Sequence, residues 1–155
     1  MEIYITFDVE DHSFEINTQD DSIISLIERF AMPKILNLLN DYKAKATFFT
    51  TAKFAEKSPN TIKAIQNNGH EIGCHGFDHN DYYDSLSIKK QIELMKKSKY
   101  IIENIIQSNI ESFRAPALRI IKTLYSHLKK ITLNMILQLH HKDLMDLLLL
   151  VLYRN

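Results

Sequence analysis

The sequence predicts an α/β domain with a mostly parallel sheet, and three observations predict it. Strand-like and helix-like runs alternate over the first 120 residues, a pattern that puts neighbouring strands in one sheet with helices between them. Chemistry-bearing residues follow the strand-like runs directly, in "TFDVEDH", "HGFDH" and "FRAPA". All three glycines of the chain, and three of its seven histidines, fall within "GHEIGCHGFDH", residues 69–79.

Each element has its own signal. "EIYITFDV", residues 2–9, reads as a strand, with Ile3, Ile5 and Phe7 on one side and Tyr4 and Thr6 on the other. A helical stretch over 22–42 contains Pro33, which kinks it or splits it in two. "KATFFTT", 45–51, is a buried strand rich in Thr and Phe. "SPNTIKAIQNNG" has Pro59 in a first helical turn and Gly69 as its stop. "HEIGCH", 70–75, is a short strand. Ile88, Ile92, Met95, Ile102 and Ile106 recur at near-helical spacing, so 87–107 is an amphipathic helix. "ESFRAPA", 111–117, is a short strand and turn. The sheet is open or closed into a barrel.

Composition narrows the class. The chain has 155 residues, 45% hydrophobic and 25% charged, the profile of one globular domain. Zero formal net charge gives no argument for a nucleic-acid partner. The one cysteine, Cys74, allows no internal disulfide framework. The start has no basic segment followed by an apolar one, so it reads as a strand and not a signal peptide. The longest uncharged apolar run, 147–152, is far shorter than the roughly 20 residues that span a bilayer. A cytoplasmic location is the expectation.

After residue 120 the texture changes. Residues 121–155 hold eleven leucines against seven in 1–120, with no Phe and no Gly. They carry five Lys/Arg and two acids. The stretch reads as a leucine-rich helical tail, apolar nearly all round its axis.

The three stretches after the strands bring together Asp8, Glu10 and Asp11, then His75 and His79, then Arg114 and Pro116. Groups at the carboxyl ends of parallel strands converge on one face of the fold. Two imidazoles four residues apart can face one point from a helical turn or a tight loop, and a carboxylate from the first strand completes a His–His–acid set for a divalent cation. A second carboxylate beside it serves as general base. Gly73 and Gly76 let the backbone pass closely and take dihedrals barred to other residues. Singly, each piece has an ordinary role: Asp8 a helix cap, Arg114 a surface cation, the histidines a core or surface pair. His12, His70 and Asp78 read as structural or solvent-facing, Cys74 as a small buried residue, and Tyr82 and Tyr83 as loop packing or the lining of a sugar site.

In this order the three stretches resemble the motifs of the NodB-homology polysaccharide deacetylases, carbohydrate esterase family 4-like, over residues 1–120. "TFDVED" resembles the first motif, "HGFDH" the second and "FRAPA" the third. The resemblance implies the N-terminal half of a distorted barrel of about seven strands, a (β/α)7 fold. It implies Asp8 as the base, His75 and His79 as metal ligands, and Arg114 as the residue orienting the base. It also implies the backbone N–H of Ala117 as an oxyanion donor. The third ligand is Glu10 or Asp11: Val9 separates acids that the family commonly has adjacent. Alternation favours Glu10, and a turn after Val9 favours Asp11. The implied cofactor is a divalent metal, zinc first, and the implied substrate an N-acetylated sugar from which acetate is released. Gly76 stands where many members have Ser or Thr. The family's general acid comes from a late leucine–x–x–histidine motif, which His140 and His141 do not resemble. The tail is therefore also a candidate frameshift product: with one A lost from an A-rich run at the codons of Ile120 and Ile121, and synonymous codons chosen freely, the neighbouring frame can be made to include "YDSS", similar to what the family places after its third motif.

Overall fold

A computed structural model describes residues 4–13, 18–19, 21–118 and 134–135. Its order is β1 (Thr6–Val9), β2 (His12–Ser13), β3 (Thr18–Gln19), α1 (Asp21–Leu26), a π-helical turn (Ile27–Ala31), α2 (Met32–Asp41), β4 (Thr47–Thr50), α3 (Ala52–Lys57), α4 (Pro59–Asn67), β5 (Glu71–Cys74), α5 (Ile88–Ile106), β6 (Ser112–Phe113) and β7 (Asn134–Met135). β1, β4, β5, β6 and β7 lie side by side in that order. Every pairing in this sheet is parallel. β2 and β3 form a separate antiparallel pair.

Register sorts the strand residues into two faces. Asp8 is level with Phe49 and Gly73, and Val9 with Thr50 and Cys74. Phe7, Val9, Phe48, Ile72, Cys74 and Phe113 therefore share the face that packs on the helices. There Phe48, Cys74 and Phe113 join Phe54, Ile62, Ile65, Met95 and Ile102 in one core. Each such large apolar side chain stabilises the fold by roughly 1.5–3 kcal/mol. The other face carries Thr6, Asp8, Thr47, Phe49, Glu71, Gly73 and Ser112. Glu71 ties three strands on it, accepting from Thr47 Oγ1 at 2.6 Å and from Ser112 Oγ at 2.7 Å.

The polar face is concave. Arg114, just after β6, donates from one guanidinium nitrogen to Asp8 Oδ1 at 2.6 Å and from the other to Thr6 Oγ1 at 2.8 Å. In a flat sheet β1 and β6 would lie three strand spacings apart, about 14 Å. An arginine and an aspartate side chain do not bridge that distance across a plane, so the sheet curls, as the wall of a barrel does.

The helices follow the sequence with informative exceptions. Pro33 stands in the first turn of α2, and the residues before it widen into a π turn, with Met32 N–H donating to Ile27 O. The wide turn accommodates the donor that proline lacks and the clash of its ring with the preceding turn. In α5 the buried stripe includes Gln91 and Ser98, while Ile88 and Ile92 are half-buried. α3 is not among the expected elements. It begins directly after β4, capped by Thr51, whose side chain accepts from Phe54 N–H at 3.2 Å. The expected tail helix falls outside the described residues except at Asn134–Met135. There the chain is β7, paired with Ser112 and Phe113, because the open edge of β6 offers backbone partners.

Two outcomes follow from this packing. A Cβ on Gly73 would meet the Phe49 ring at 2.5 Å and Ser112 Oγ at 2.7 Å. Gly73→Ala is expected to lower stability by about 1–3 kcal/mol, measured by urea unfolding. His70 lies buried against Phe48, ring centroids 5.4 Å apart, and burial, with Lys45 adding to it, lowers its pKa from the ordinary 6.5. The unfolded chain then binds the proton more readily. The stability due to neutral His70 is complete above pH 6.5 and declines as the pH falls below it. His70→Phe is expected to flatten that acid limb in melting curves recorded from pH 7.5 to 4.5.

Candidate functional site

The three sequence motifs meet at the carboxyl ends of β1, β5 and β6. Asp8 points to the concave face from β1, and its side chain is 39% exposed. Arg114 is 3% exposed, its guanidinium 4.3 Å above the Phe49 ring. That ring lies flat because Gly73 leaves the space beneath it free. Gly73 serves close packing here, without any unusual dihedral. A buried guanidinium is strongly destabilising unless paired, and the two bonds to Asp8 and Thr6 pair it.

His75 continues β5: its N–H donates to Thr50 O at 2.8 Å. Its Nδ1 lies 2.9 Å from Arg114 O. A carbonyl oxygen only accepts, so Nδ1 carries the proton and Nε2 presents a lone pair. That Nε2 is 3.8 Å from Glu10 Oε2 and 3.9 Å from Asp8 Oδ2. Burial holds the His75 pKa below its ordinary value against the opposing pull of Asp8 and Glu10. His79 Nδ1 is 2.7 Å from Glu10 Oε2.

The loop between the histidines is fixed by α3. The first N–H groups of a helix lack partners within it. Here Ala52 N–H donates to Gly76 O and Lys53 N–H to Phe77 O, both at 3.0 Å. Lys53 Nζ reaches Asp78 Oδ2 at 2.7 Å. Asp78, expected to be structural or solvent-facing, is thus part of the loop's anchorage. Gly76 has φ +83°, and a Cβ on it would come 3.0 Å from Tyr83 Cε2 and 3.1 Å from Pro116 Cγ. Tyr83 is fully buried and packs edge-on against Phe113 at 5.7 Å, which makes it loop packing. Lys53 and Asp78 carry no motif signal in the sequence; only the contact between α3 and the loop singles them out.

The two acids that the sequence leaves open stand in different places. Glu10 stands beside both histidines, on the side of Asp8, since Thr51 N–H donating to Val9 O carries the ladder past β1. Asp11 points the other way: it is 1% exposed, with Oδ2 3.2 Å from Lys57 Nζ. Asp11 is therefore not next to the histidine pair. Ala117 lies exposed in the 116–118 turn with φ 51° and ψ 18°.

Two imidazoles and a carboxylate are a suitable donor set for a divalent cation. Among the described residues no three His, Cys, Asp or Glu side chains already stand in a ligand arrangement. The reason is local. Ligand atoms around a tetrahedral zinc are about 3.3 Å apart, whereas His79 and Glu10 are in direct hydrogen bond at 2.7 Å and His75 is 3.8 Å from the same oxygen. These two distances each depart from that spacing by about half an ångström. The donors fit, and His75 already has the second-nitrogen hydrogen bond that ligating histidines use.

Fold and site together define a parallel α/β domain with an acid–histidine–arginine centre at its strand ends. Comparison with known proteins agrees. The polysaccharide deacetylase family model matches residues 1–136, and the chain belongs to that family. The chain is 28% identical over 114 residues to a chitooligosaccharide deacetylase of Azorhizobium caulinodans, covering 74% of this chain and 47% of that protein. It is 51% identical over 47 residues to a peptidoglycan-N-acetylglucosamine deacetylase of Bacillus cereus, covering 30% and 17%. The fold matches the crystal structure of a CE4 family pseudoenzyme from Bacillus anthracis, with TM-score 0.71 and 19% identity over 86% of this chain and 42% of the other. The chain thus spans about half the length, or less, of these relatives. The family match runs past residue 120 to include β7.

Cys74 gives a direct check on the two-faced sheet. It lies on the helix face, fully buried, and burial pushes its thiol up to about 12. The folded protein is expected to resist iodoacetamide at pH 8, with or without zinc, and to react once unfolded. Fast alkylation of the native chain would place Cys74 on the site face.

Proposed function

We propose that the chain is a divalent-cation-dependent hydrolase that removes N-acetyl groups from a sugar of a polysaccharide or glycan precursor. The observation that carries this reading is the exposed Asp8 carboxylate, held by Arg114 beside the half-buried Glu10 and the buried His75 and His79. Glu10, His75 through Nε2, and His79 are the residues to hold the cation, zinc first among candidates. When bound, the cation supplies Lewis acidity toward the amide carbonyl and lowers the pKa of water. Asp8 takes a proton from the attacking water through Oδ2, the oxygen that Arg114 leaves free. Arg114 fixes the plane of that carboxylate. The backbone N–H of Ala117 is the proposed donor to the oxyanion as the water oxygen bonds to the acetyl carbon. The C–N bond then breaks as the leaving nitrogen takes up a proton, the one held by Asp8 or one from solvent water, and acetate and a sugar amine are released. A cytoplasmic nucleotide- or lipid-linked sugar is the setting proposed for this chemistry.

A second reading is a catalytically inactive remnant, or a metal- or glycan-binding protein that keeps the first half of the site. It is favoured by the change to leucine-rich composition after residue 120. Under this reading the leucine-rich segment is a frameshift product or a self-association helix.

Acetate release from N-acetylglucosamine oligomers and one-to-one zinc uptake separate the readings. Under the first, Asp8→Asn is expected to lower acetate release about 10²- to 10⁴-fold while zinc affinity stays within a few-fold. EDTA is expected to abolish release, and added zinc to restore it. Unchanged release from Asp8→Asn would overturn the role of Asp8. Tight stoichiometric zinc with no acetate would select the second reading.

A further inference from the structure

We propose that α3 is a two-ended clamp that sets the spacing between Glu10 and the histidine pair, with Lys57 and Asp11 as positioning residues. The inference rests on the reading of Glu10, His75 and His79 as a cation centre, and it assigns Asp11 a role other than ligand.

The two ends of α3 grip the two halves of the centre. At its start, the Ala52 and Lys53 N–H groups and the Lys53 ammonium hold Gly76, Phe77 and Asp78, the three residues between the histidines. At its end, Lys57 Nζ holds Asp11 at 3.2 Å and Asp21 at 2.8 Å. Asp11 directly follows Glu10 in the chain. Alternation sends Glu10 to the concave face and Asp11 to the helix face, so a grip on Asp11 fixes the backbone that aims Glu10. Asp11 is 1% exposed and its Oδ1 has no hydrogen-bond partner, so Lys57 offsets a fully buried carboxylate. Taking the cation away from such a carboxylate is strongly unfavourable, and the segment would move to rehydrate it. Six residues of helix therefore carry the relation between the acid and the imidazoles, the further of which, His79, lies 69 positions from Glu10 in sequence.

A double-mutant cycle on the full chain, read by zinc titration, tests the clamp. Lys57→Met and Asp11→Asn are each expected to weaken zinc binding about 10- to 100-fold, the usual effect of losing a residue that orients a ligand. The double variant is expected to be no weaker than either single one, because both act through one contact. It holds no unpaired buried charge, so it provides a folded arm even where Lys57→Met alone does not fold. Lys57→Arg is expected to restore affinity. Amide exchange in zinc-free protein gives a second readout, with faster exchange confined to residues 8–13 in both single variants. Asp11→Asn abolishing binding while Lys57→Met leaves it intact would make Asp11 a ligand and overturn the proposal. Affinities that follow the melting temperature of the zinc-free variants, with additive losses, would also overturn it. A wild-type chain that takes up no zinc overturns the cation centre itself, a result distinct from wild-type uptake that Lys57→Met does not change.

Discussion

The contact between Arg114 and Asp8 constrains the rest of the described structure. It joins groups 106 positions apart, from the first strand of the sheet and from the turn after β6. A guanidinium that is 3% exposed must have its charge met, and only a curled sheet brings Asp8 and Thr6 within reach. Curvature needs room on the inner side, and Gly73 supplies it by letting the Phe49 ring lie across β5 beneath the guanidinium. The same arginine uses its backbone too. Its carbonyl orients His75, and its N–H donates to Cys74 O, closing β6 onto β5. One residue thus sets the direction of the acid, the tautomer of the histidine and the bend of the sheet.

Strand alternation gives the sheet its division of labour. Odd and even positions of the same four-residue strands do opposite work: Phe48 and Cys74 enter the helix-packed core, while Phe49 and Gly73 shape the concave face. The site therefore needs no separate scaffold, and a register slip of one residue would exchange core and site completely. Glu71 guards against such a slip at the other end of the sheet, since its carboxylate reaches both Thr47, level with it, and Ser112, level with Gly73, in this register.

What could be read from the sequence follows how local each feature is. β1, β4, β5 and β6, with α4 and α5, announce themselves through alternation, helical spacing, Pro59 and Gly69. Asp8, His75, His79 and Arg114 were legible as candidates because each stands at the end of a strand or in the loop that follows it. The choice between Glu10 and Asp11 was not, because it depends on whether the backbone keeps alternating past Val9, and that is decided by a bond from Thr51 on the neighbouring strand. α3 was hidden for a related reason. Six residues after a strand show no period, and the helix is stabilised by Thr51 and by the loop carbonyls that its first turn receives. The segment at 134–135 was misread as helix because leucine-rich composition carries no information about an open strand edge supplied by β6.

The centre is held together by contacts of long sequence separation. Glu10 meets His79 across 69 positions and Asp8 meets Arg114 across 106. Neither contact exists until β1, β4, β5 and β6 have paired in register, and such non-local pairing bears the cost of loop closure before any contact forms. The polar groups involved are largely buried, so a partly formed sheet would hold unpaired Arg114 and Asp11 charges. That penalty favours an all-or-none closure over a loose intermediate. A cation binding to Glu10 and the histidines would add its binding free energy to the closed state alone. The centre and the curled sheet then stabilise each other, and the half of the centre furthest from Arg114 depends most on α3.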